Sequence, residues 1–263
     1  MTRNLEIALQ AAAAASEEIC RVYEGSVDVQ LKADGSPITR ADTRANDAIR
    51  SVLAPTNIPV LSEEAIVPFE QRVDWSRFWL VDPLDGTKEL LARTDQFSVN
   101  IALVEGGIPI LGVIAAPALK MVWYAEAGGG AWETGAGNTA RAINARAPWP
   151  VSSRMTTTRL HDSPASAEFA RLNRISKSVR SGSAIKFVKV AASEVEFYAR
   201  YAGSSEWDTG AGEAILREAG GFLLTIDGRS PLYNQRRLRH PYFVAWRPPL
   251  RWDEILLPES TPE

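Results

Sequence analysis

Two short apolar runs in the 263-residue chain end abruptly in acidic residues, and this constrains the fold more than any other feature. Ile58 to Leu61 stops at Ser62, Glu63 and Glu64, and Phe78 to Val81 stops at Asp82. Strands deliver ligands in this way. A side chain at a strand's end is held by the sheet yet reaches its solvent edge, where α/β folds assemble their sites.

The flanking patterns supply the rest of the scaffold. Leu5, Leu9, Ala12, Ser16, Ile19 and Tyr23 recur at three- and four-residue spacing and predict an amphipathic helix ended by Gly25, with Cys20 packed beside its apolar face. Val27, Val29 and Leu31 alternate as a short strand before the turn-forming Asp34 to Pro37. Ala41, Ala45, Ile49, Val52 and Leu53 form the stripe of a second helix, capped by Thr39 with Asp42 in its first turn. Val99 to Glu133, broken at Gly106, Gly107, Pro117 and Gly128 to Gly130, reads as an antiparallel meander with glycine hairpins. No GK[ST] follows those glycines, so a phosphate loop is not needed to explain them.

Two prolines within Ala147 to Pro150 stop helix and central strand alike. They mark the expected boundary between an N-terminal α+β domain (1–147) and a C-terminal α/β domain (148–263). Beyond it, strand patterns near Val151, Val179, Val195 and Phe222 alternate with helical patterns at Ala165 to Leu172, Ala184 to Ala192 and Thr209 to Ala219.

The run Val81-Asp82-Pro83-Leu84-Asp85-Gly86-Thr87 carries the chemistry. Asp-Pro and Asp-Gly are common turn dipeptides, so alone it is a surface turn. On a chain reversal at the end of a buried strand, however, two aspartates crowd negative charge where a turn needs none. Carboxylates ~4 Å apart repel by roughly 4 kcal/mol at an effective dielectric of 20, so a convergent cluster requires a cation or a shared proton. No His or Cys lies near Asp82, which disfavours zinc. Carboxylates, a carbonyl such as that of Leu84 and waters suit Mg2+ or Mn2+.

Charge and composition narrow the partners. A net charge of -3 exerts no global pull on nucleic acid or anionic lipid, so a phosphate must be recognised locally. The lone Cys20 excludes an internal disulfide framework, and no apolar stretch approaches the ~20 residues that span a bilayer. Glu6, Glu17 and Glu18 interrupt the alanine run Ala11 to Ala15 that would otherwise suggest a signal peptide, and a cytoplasmic protein is expected.

Three ordered segments then resemble one family. Ser62-Glu63-Glu64, Trp79 to Thr87 and Glu206-Trp207-Asp208-Thr209-Gly210-Ala211-Gly212 look like the signatures of the lithium-sensitive inositol monophosphatase superfamily. The likeness runs from Lys32-Ala33-Asp34-Gly35-Ser36-Pro37-Ile38-Thr39 through Gly221. It implies the sugar phosphatase fold of alternating helix and sheet layers and a phosphatase using two or three Mg2+ ions, with Mn2+ a substitute. By the same resemblance Glu63, Asp82, the Leu84 carbonyl, Asp85 and Asp208 bind metal. Asp42 and Thr87, with Glu63, position and deprotonate the attacking water, and Gly86 lets the backbone approach the phosphate.

Within the superfamily, Lys88-Glu89, Gly182-Ser183-Ala184-Ile185-Lys186-Phe187 and Tyr198-Ala199-Arg200-Tyr201 resemble the 3'(2'),5'-bisphosphate nucleotidases. The likeness implies substrate contacts from Gly182, Ser183, Lys186, Arg200 and Asp208. Lys186 and Arg200 would bind a second phosphate away from the metals, though either could be a surface charge. The expected substrate is adenosine 3',5'-bisphosphate. Inositol monophosphate or fructose 1,6-bisphosphate hydrolysis, and a non-catalytic metal-dependent nucleotide sensor, are the alternatives. A homodimer and peripheral inner-membrane attachment are compatible with the resemblance. Two departures stand out. Ser153-Arg154-Met155-Thr156 replaces the family's Ser-Arg-Ser-His, leaving His161 out of register and His240 structural or solvated, and Gly210 adds backbone freedom at a helix start.

Overall fold

A strand buried on both faces sends alternate side chains into two different cores and must be apolar throughout. The computed structural model of the protein, which describes residues 1–25, 29–31, 37–137, 139–158 and 163–259, is built around such strands. Val27, His161 and the segment Lys32 to Ser36 lie outside the described residues.

Helix α1 (Arg3–Tyr23) is followed by a two-stranded ribbon, β1 (Val29–Leu31) and β2 (Pro37–Thr39), and by α2 (Arg40–Leu53). Seven strands then form one sheet in chain order: β3 (Val60–Ser62), β4 (Arg77–Asp85), β5 (Ser98–Glu105), β6 (Ile108–Ala116), β7 (Met121–Glu126), β8 (Ala131–Thr134) and β9 (Arg141–Ile143). β3 and β4 run parallel, and each later pair is antiparallel. Short helices α3 (Phe69–Arg72) and α4 (Thr87–Leu91) lie in the connections on either side of β4.

The second half lays down β10 (Ser153–Thr157), α5 (Pro164–Leu172), β11 (Ile175–Arg180), α6 (Ile185–Ala191), β12 (Phe197–Arg200), β13 (Ser204–Ser205), α7 (Glu206–Glu218), β14 (Phe222–Thr225), β15 (Arg239–His240) and β16 (Phe243–Trp246). Five of these strands make a sheet ordered β11-β10-β12-β16-β14, and β13 pairs with β15 in a separate ladder. The alternation expected beyond Pro150 is thus present, although Val151 itself is fully exposed and β10 begins at Ser153.

Strand alternation sorts the cores. On β4, Trp79 and Val81 join Leu5, Ile19 and Ile49 of α1 and α2, while Phe78 and Leu80 join Ala211 and Ile215 of α7. In the second sheet, Tyr198, Phe243 and Ala245 meet α6 and α7, whereas Phe197, Val244 and Trp246 meet Ala165 and Phe169 of α5. The product is five layers, helix, sheet, helix, sheet, helix, as the resemblance implied. Residues of both sheets share the middle core, so α7 is packed from two sides. Among the described residues no helix is long and apolar enough to cross a membrane.

The glycines of α7 serve this packing rather than backbone freedom. A Cβ on Gly210 would lie 2.9 Å from Leu80 Cδ2, and one on Gly212 would lie 2.4 Å from Phe187 Cδ2. From the sheet side, a Cβ on Gly112 of β6 would lie 2.3 Å from the Ala211 carbonyl oxygen. Because that neighbour is backbone, Gly112→Ala should cost about 1–3 kcal/mol, the usual penalty of overpacking a core. Urea denaturation measures this, and an unchanged midpoint would mean that α7 can slide off the sheet at little cost.

Candidate active site

Residues three apart on a regular strand point to opposite faces, so Asp82 and Asp85 should not converge. The register of β4 against β5 removes the difficulty. Asp82 pairs with Asn100 and Asp85 with Ser98, so three steps on β4 match two on β5. The bulge at Pro83-Leu84 returns Asp85 to the face of Asp82, which is the α7 face already occupied by Leu80. The chain reversal expected at Asp82 is therefore not there, and the strand runs on through Asp85. Leu84, 3% exposed, sits in the bulge with its N–H donating to Asp82 Oδ1 at 3.1 Å. Asn100 Nδ2 donates to Asp85 Oδ2 at 3.2 Å, and Ser98 Oγ in turn donates to Asn100 Oδ1 at 2.8 Å.

Helix starts supply two more carboxylates. Asp42 is the third residue of α2, where its Oδ2 accepts the Thr39 N–H and hydroxyl, both at 2.7 Å, in a capping box. Its Oδ1 accepts the Thr87 hydroxyl at 3.1 Å. Asp208 holds the same position in α7, with Oδ2 accepting Ser205 N–H at 2.8 Å and Ser204 Oγ–H at 3.0 Å. Glu63 follows β3, its N–H donating to the Val81 carbonyl at 3.1 Å. Carboxylate oxygens of Glu63, Asp82 and Asp208 all lie within 4.8 Å of one another.

Such convergence is frustrated without a cation. Burial, followed by the charges of Glu63, Asp85, Asp208 and Asp42, holds the Asp82 carboxyl well above the ordinary range. Burial and then Asp208 push Asp85 up to about 6, against a smaller opposing pull from Lys186. Asp42 is also raised, chiefly by burial. The donors are hard oxygens, and Asp82 is 1% exposed, so the group fits a small divalent cation such as Mg2+.

Beside the carboxylates is a small, partly open pocket of about 40 Å³ lined by Asp85, Asp208, Ser183, Lys186, Tyr198 and Arg200, among others. Lys186 is 5% exposed, donates to the Ser183 carbonyl at 2.5 Å and lies 5.5 Å from the centre of the Tyr198 ring. Burial lowers its pKa to about 8. Lys186 is therefore not a surface charge. Arg200 Nη2 donates to the Gly203 carbonyl at 2.9 Å, while Arg200 Nε and Ser183 Oγ are buried without hydrogen-bond partners among the described residues. Both cations thus share a pocket with Asp208 of the cluster and with Asp85 rather than standing apart from them. Two larger cavities, about 760 Å³ beside α1 and about 460 Å³ beside α7 and β14, contain none of the clustered carboxylates.

Gly86 caps α4 at φ +98°, a conformation other residues rarely adopt. Gly182 has a packing reason to be glycine, since a Cβ there would lie 2.3 Å from the Gln96 carbonyl. Arg154 binds Glu196 at 3.1 Å away from the pocket, and Thr156 is buried opposite Tyr198. His240 is buried against Tyr233, with burial lowering its pKa to about 4, so it is structural and not solvated. Sequence reasoning missed Asn100, Ser204 and Glu206 as supports. The visible signal for Asn100 was its polar position, with Ser98, inside an otherwise apolar strand.

Fold and site together define a layered α/β protein whose sheet edge and helix starts assemble a carboxylate cluster that could hold a hard cation, with fixed side-chain cations alongside. The profile of the inositol monophosphatase family matches residues 1–249, and the chain belongs to that family. It is 40% identical over 239 residues to the 3'(2'),5'-bisphosphate nucleotidase CysQ of Salmonella typhimurium, covering 88% of this chain and 94% of that one. The protein of the same name from Aggregatibacter actinomycetemcomitans is 33% identical over 264 residues, with 97% of each covered. The crystal structure of CysQ from Bacteroides thetaiotaomicron matches with a TM-score of 0.84 at 34% identity, covering 93% of this chain and 97% of that one.

The raised carboxylates bind protons more tightly in the folded chain than in the unfolded one. Protein freed of metal by a chelator should therefore lose stability as pH rises from about 4 through about 6, and keep it at lower pH. Its melting temperature should fall between pH 5 and pH 7.5, and Mg2+ should restore it. Asp82→Asn should raise the chelated melting temperature at pH 7.5, by roughly 2–4 °C per kcal/mol of repulsion removed. A chelated variant that melts below the wild type would mean that internal hydrogen bonds already compensate the cluster.

Proposed function

We propose that the protein is a Mg2+-dependent phosphomonoesterase that hydrolyses the 3'-phosphate of adenosine 3',5'-bisphosphate, giving AMP and phosphate. The observation that carries this reading is the meeting of Asp85 and Asp208 with Lys186 and Arg200 in one pocket. A reacting phosphate and a second phosphate need those two kinds of group side by side. The nucleotidase relatives, alike over most of the chain, support the choice of substrate.

Glu63, Asp82, the Leu84 carbonyl, Asp85 and Asp208 would hold Mg2+, or Mn2+ in its place. When bound, the ions supply Lewis acidity that acidifies the attacking water and offsets charge on the phosphoryl and leaving oxygens. The chain's own residues do the rest. Thr87, whose hydroxyl donates to Asp42, retains lone pairs to accept a hydrogen bond from water. As water attacks phosphorus, its proton passes to Thr87 while the Thr87 proton passes to Asp42. The burial that raises the pKa of Asp42 makes it a stronger base than an ordinary aspartate. The bond from phosphorus to the sugar oxygen breaks, and that oxygen leaves with the electron pair and takes a proton from solvent. Lys186, a point charge, and Arg200, a planar fork, bind the phosphate that does not react.

The neutral Thr156, where the nucleotidase pattern has histidine, favours a monophosphate as the competing reading. A four-constant cycle separates the two. Lys186→Met keeps the length of the side chain, and on adenosine 3',5'-bisphosphate it should lower kcat/KM on the order of 10- to 100-fold, the worth of one charge-assisted contact. On inositol 1-phosphate the loss should be several-fold at most. Equal losses on both would place Lys186 at the reacting phosphate. A wild type that prefers the monophosphate would overturn the nucleotidase reading.

A further inference from the structure

The sheet that carries Glu63 and Asp82 does not carry Asp208, so the distance between them must be set by something else. Helix α7 begins at Glu206, whose fully buried carboxylate accepts the N–H of Asn234 on Oε2 at 2.7 Å and the N–H of Gln235 on Oε1 at 2.8 Å. On the other side of the same dipeptide is Arg72, 2% exposed, at the end of α3. Its Nη1 donates to Asn234 Oδ1 at 2.6 Å, its Nη2 to the Gln235 carbonyl at 2.8 Å and its Nε to the Val67 carbonyl at 3.0 Å. Asn234, at φ +70°, returns its Nδ2 to the Arg72 carbonyl at 2.7 Å. A buried guanidinium and a buried carboxyl group, the latter with its pKa raised by burial to about 7, thus grip one dipeptide through hydrogen bonds to its backbone and side chain. The grip joins the connection that starts at Glu63 to the first turn of α7, two residues before Asp208.

The geometry points to the bridge from Arg72 through Asn234 and Gln235 to Glu206 as the device that sets the spacing of Asp208 from Glu63, and so the cation affinity of the cluster. This rests on the reading of those carboxylates as the ion's holders. Arg72, Asn234 and Glu206 act as positioning residues. Helix α7 does not need them in order to dock, because Ala211, Ile215 and Leu216 already bury it in the middle core. Burying two charged groups for stability alone is a poor exchange, since their desolvation cancels most of the gain. What the bridge adds is geometry. Mutual repulsion pushes Asp208 away from Glu63 and Asp82, and the bridge holds the α7 start in place against that push.

The test uses Mn2+ as the probe, its free concentration read by electron paramagnetic resonance, on wild type, Arg72→Met, Asn234→Gly and the control Arg154→Met. Asn234→Gly keeps the left-handed backbone and removes only the side-chain amide, so it carries the test alone if Arg72→Met does not fold. Arg154→Met breaks a different contact to a buried carboxylate, that of Glu196, at the start of β10. Both bridge variants should bind Mn2+ about tenfold more weakly, as disruption of groups behind metal ligands does. Half-saturating Mg2+ for activity should rise in parallel, with kcat at saturating metal within about threefold of wild type. The control should lose thermal stability but keep its Mn2+ affinity. Unchanged affinity in a folded bridge variant overturns the inference, and so does an equal loss in Arg154→Met. A wild type that takes up no Mn2+ would instead remove the metal reading, and the bridge's role with it.

Discussion

Like charges gathered in a poorly solvated place repel, and the rest of this structure accommodates that repulsion. A carboxylate pair ~4 Å apart carries roughly 4 kcal/mol of repulsion at an effective dielectric of 20, a large part of the 5–15 kcal/mol by which a whole domain is stable. Glu63, Asp82 and Asp208 form such a group, with Asp85 and Asp42 close enough to act on Asp82. The fold must draw its stability elsewhere, and three apolar cores supply it. Trp79, Phe78, Phe187 and Phe243 lie in two of those cores, without exposed surface to speak of. The same burial that stabilises the chain lowers the local dielectric and sharpens the need for a cation.

Four of the acidic side chains, Asp42, Asp82, Asp85 and Asp208, are held from behind by a group that would be there for a local reason anyway. Asp42 and Asp208 close the first turns of their helices, and spend Oδ2 on that task. Asp82 accepts an N–H freed by the bulge, and Asp85 is held by an asparagine of the neighbouring strand. Helix capping and ladder irregularity thus orient the site with little added machinery. Glu206 and Arg72 differ in that, beyond favourable places at the ends of their helices, they reach across the chain to the same distant dipeptide, Asn234-Gln235.

How far the site was legible in the sequence follows from which of these supports are local. The stripes of α1 and α2, the Thr39 cap and the acidic end of β3 are written within a few residues each and could be read, whereas β4 runs on past the end expected at Asp82. The alternation of strand and helix after Pro150 was legible for the same reason. The bulge was not, because it exists only in the register of β4 against β5, and Asp-Pro-Leu-Asp alone resembles a turn. Lys186 looked as much like a surface charge as a ligand, since nothing in Ala184 to Ala192 says that the whole turn is buried. Gly210 suggested freedom, whereas its contact with Leu80, like that of Gly212 with Phe187, belongs to another layer. Arg72 and Asn234 are far apart in the chain and obey no periodicity, so only the folded molecule joins them.

Helix α7 links the two chemistries of the pocket. Asp208 stands at its first turn, and the helix is wedged between β6, where Gly112 admits the Ala211 carbonyl, and α6, where Gly212 admits Phe187. Lys186 is the immediate neighbour of Phe187 on α6. The distance from the carboxylates to the nearest fixed cation therefore depends on how closely three layers pack, and two missing Cβ atoms set that closeness. A larger residue at either glycine would push α7 away from the sheet or α6 away from α7, changing the spacing between the carboxylates and Lys186 without touching a polar atom. If Lys186 and Arg200 hold the second phosphate as proposed, selectivity between one phosphate and two becomes in part a property of the core, set by Gly112 and Gly212 as well as by polar groups.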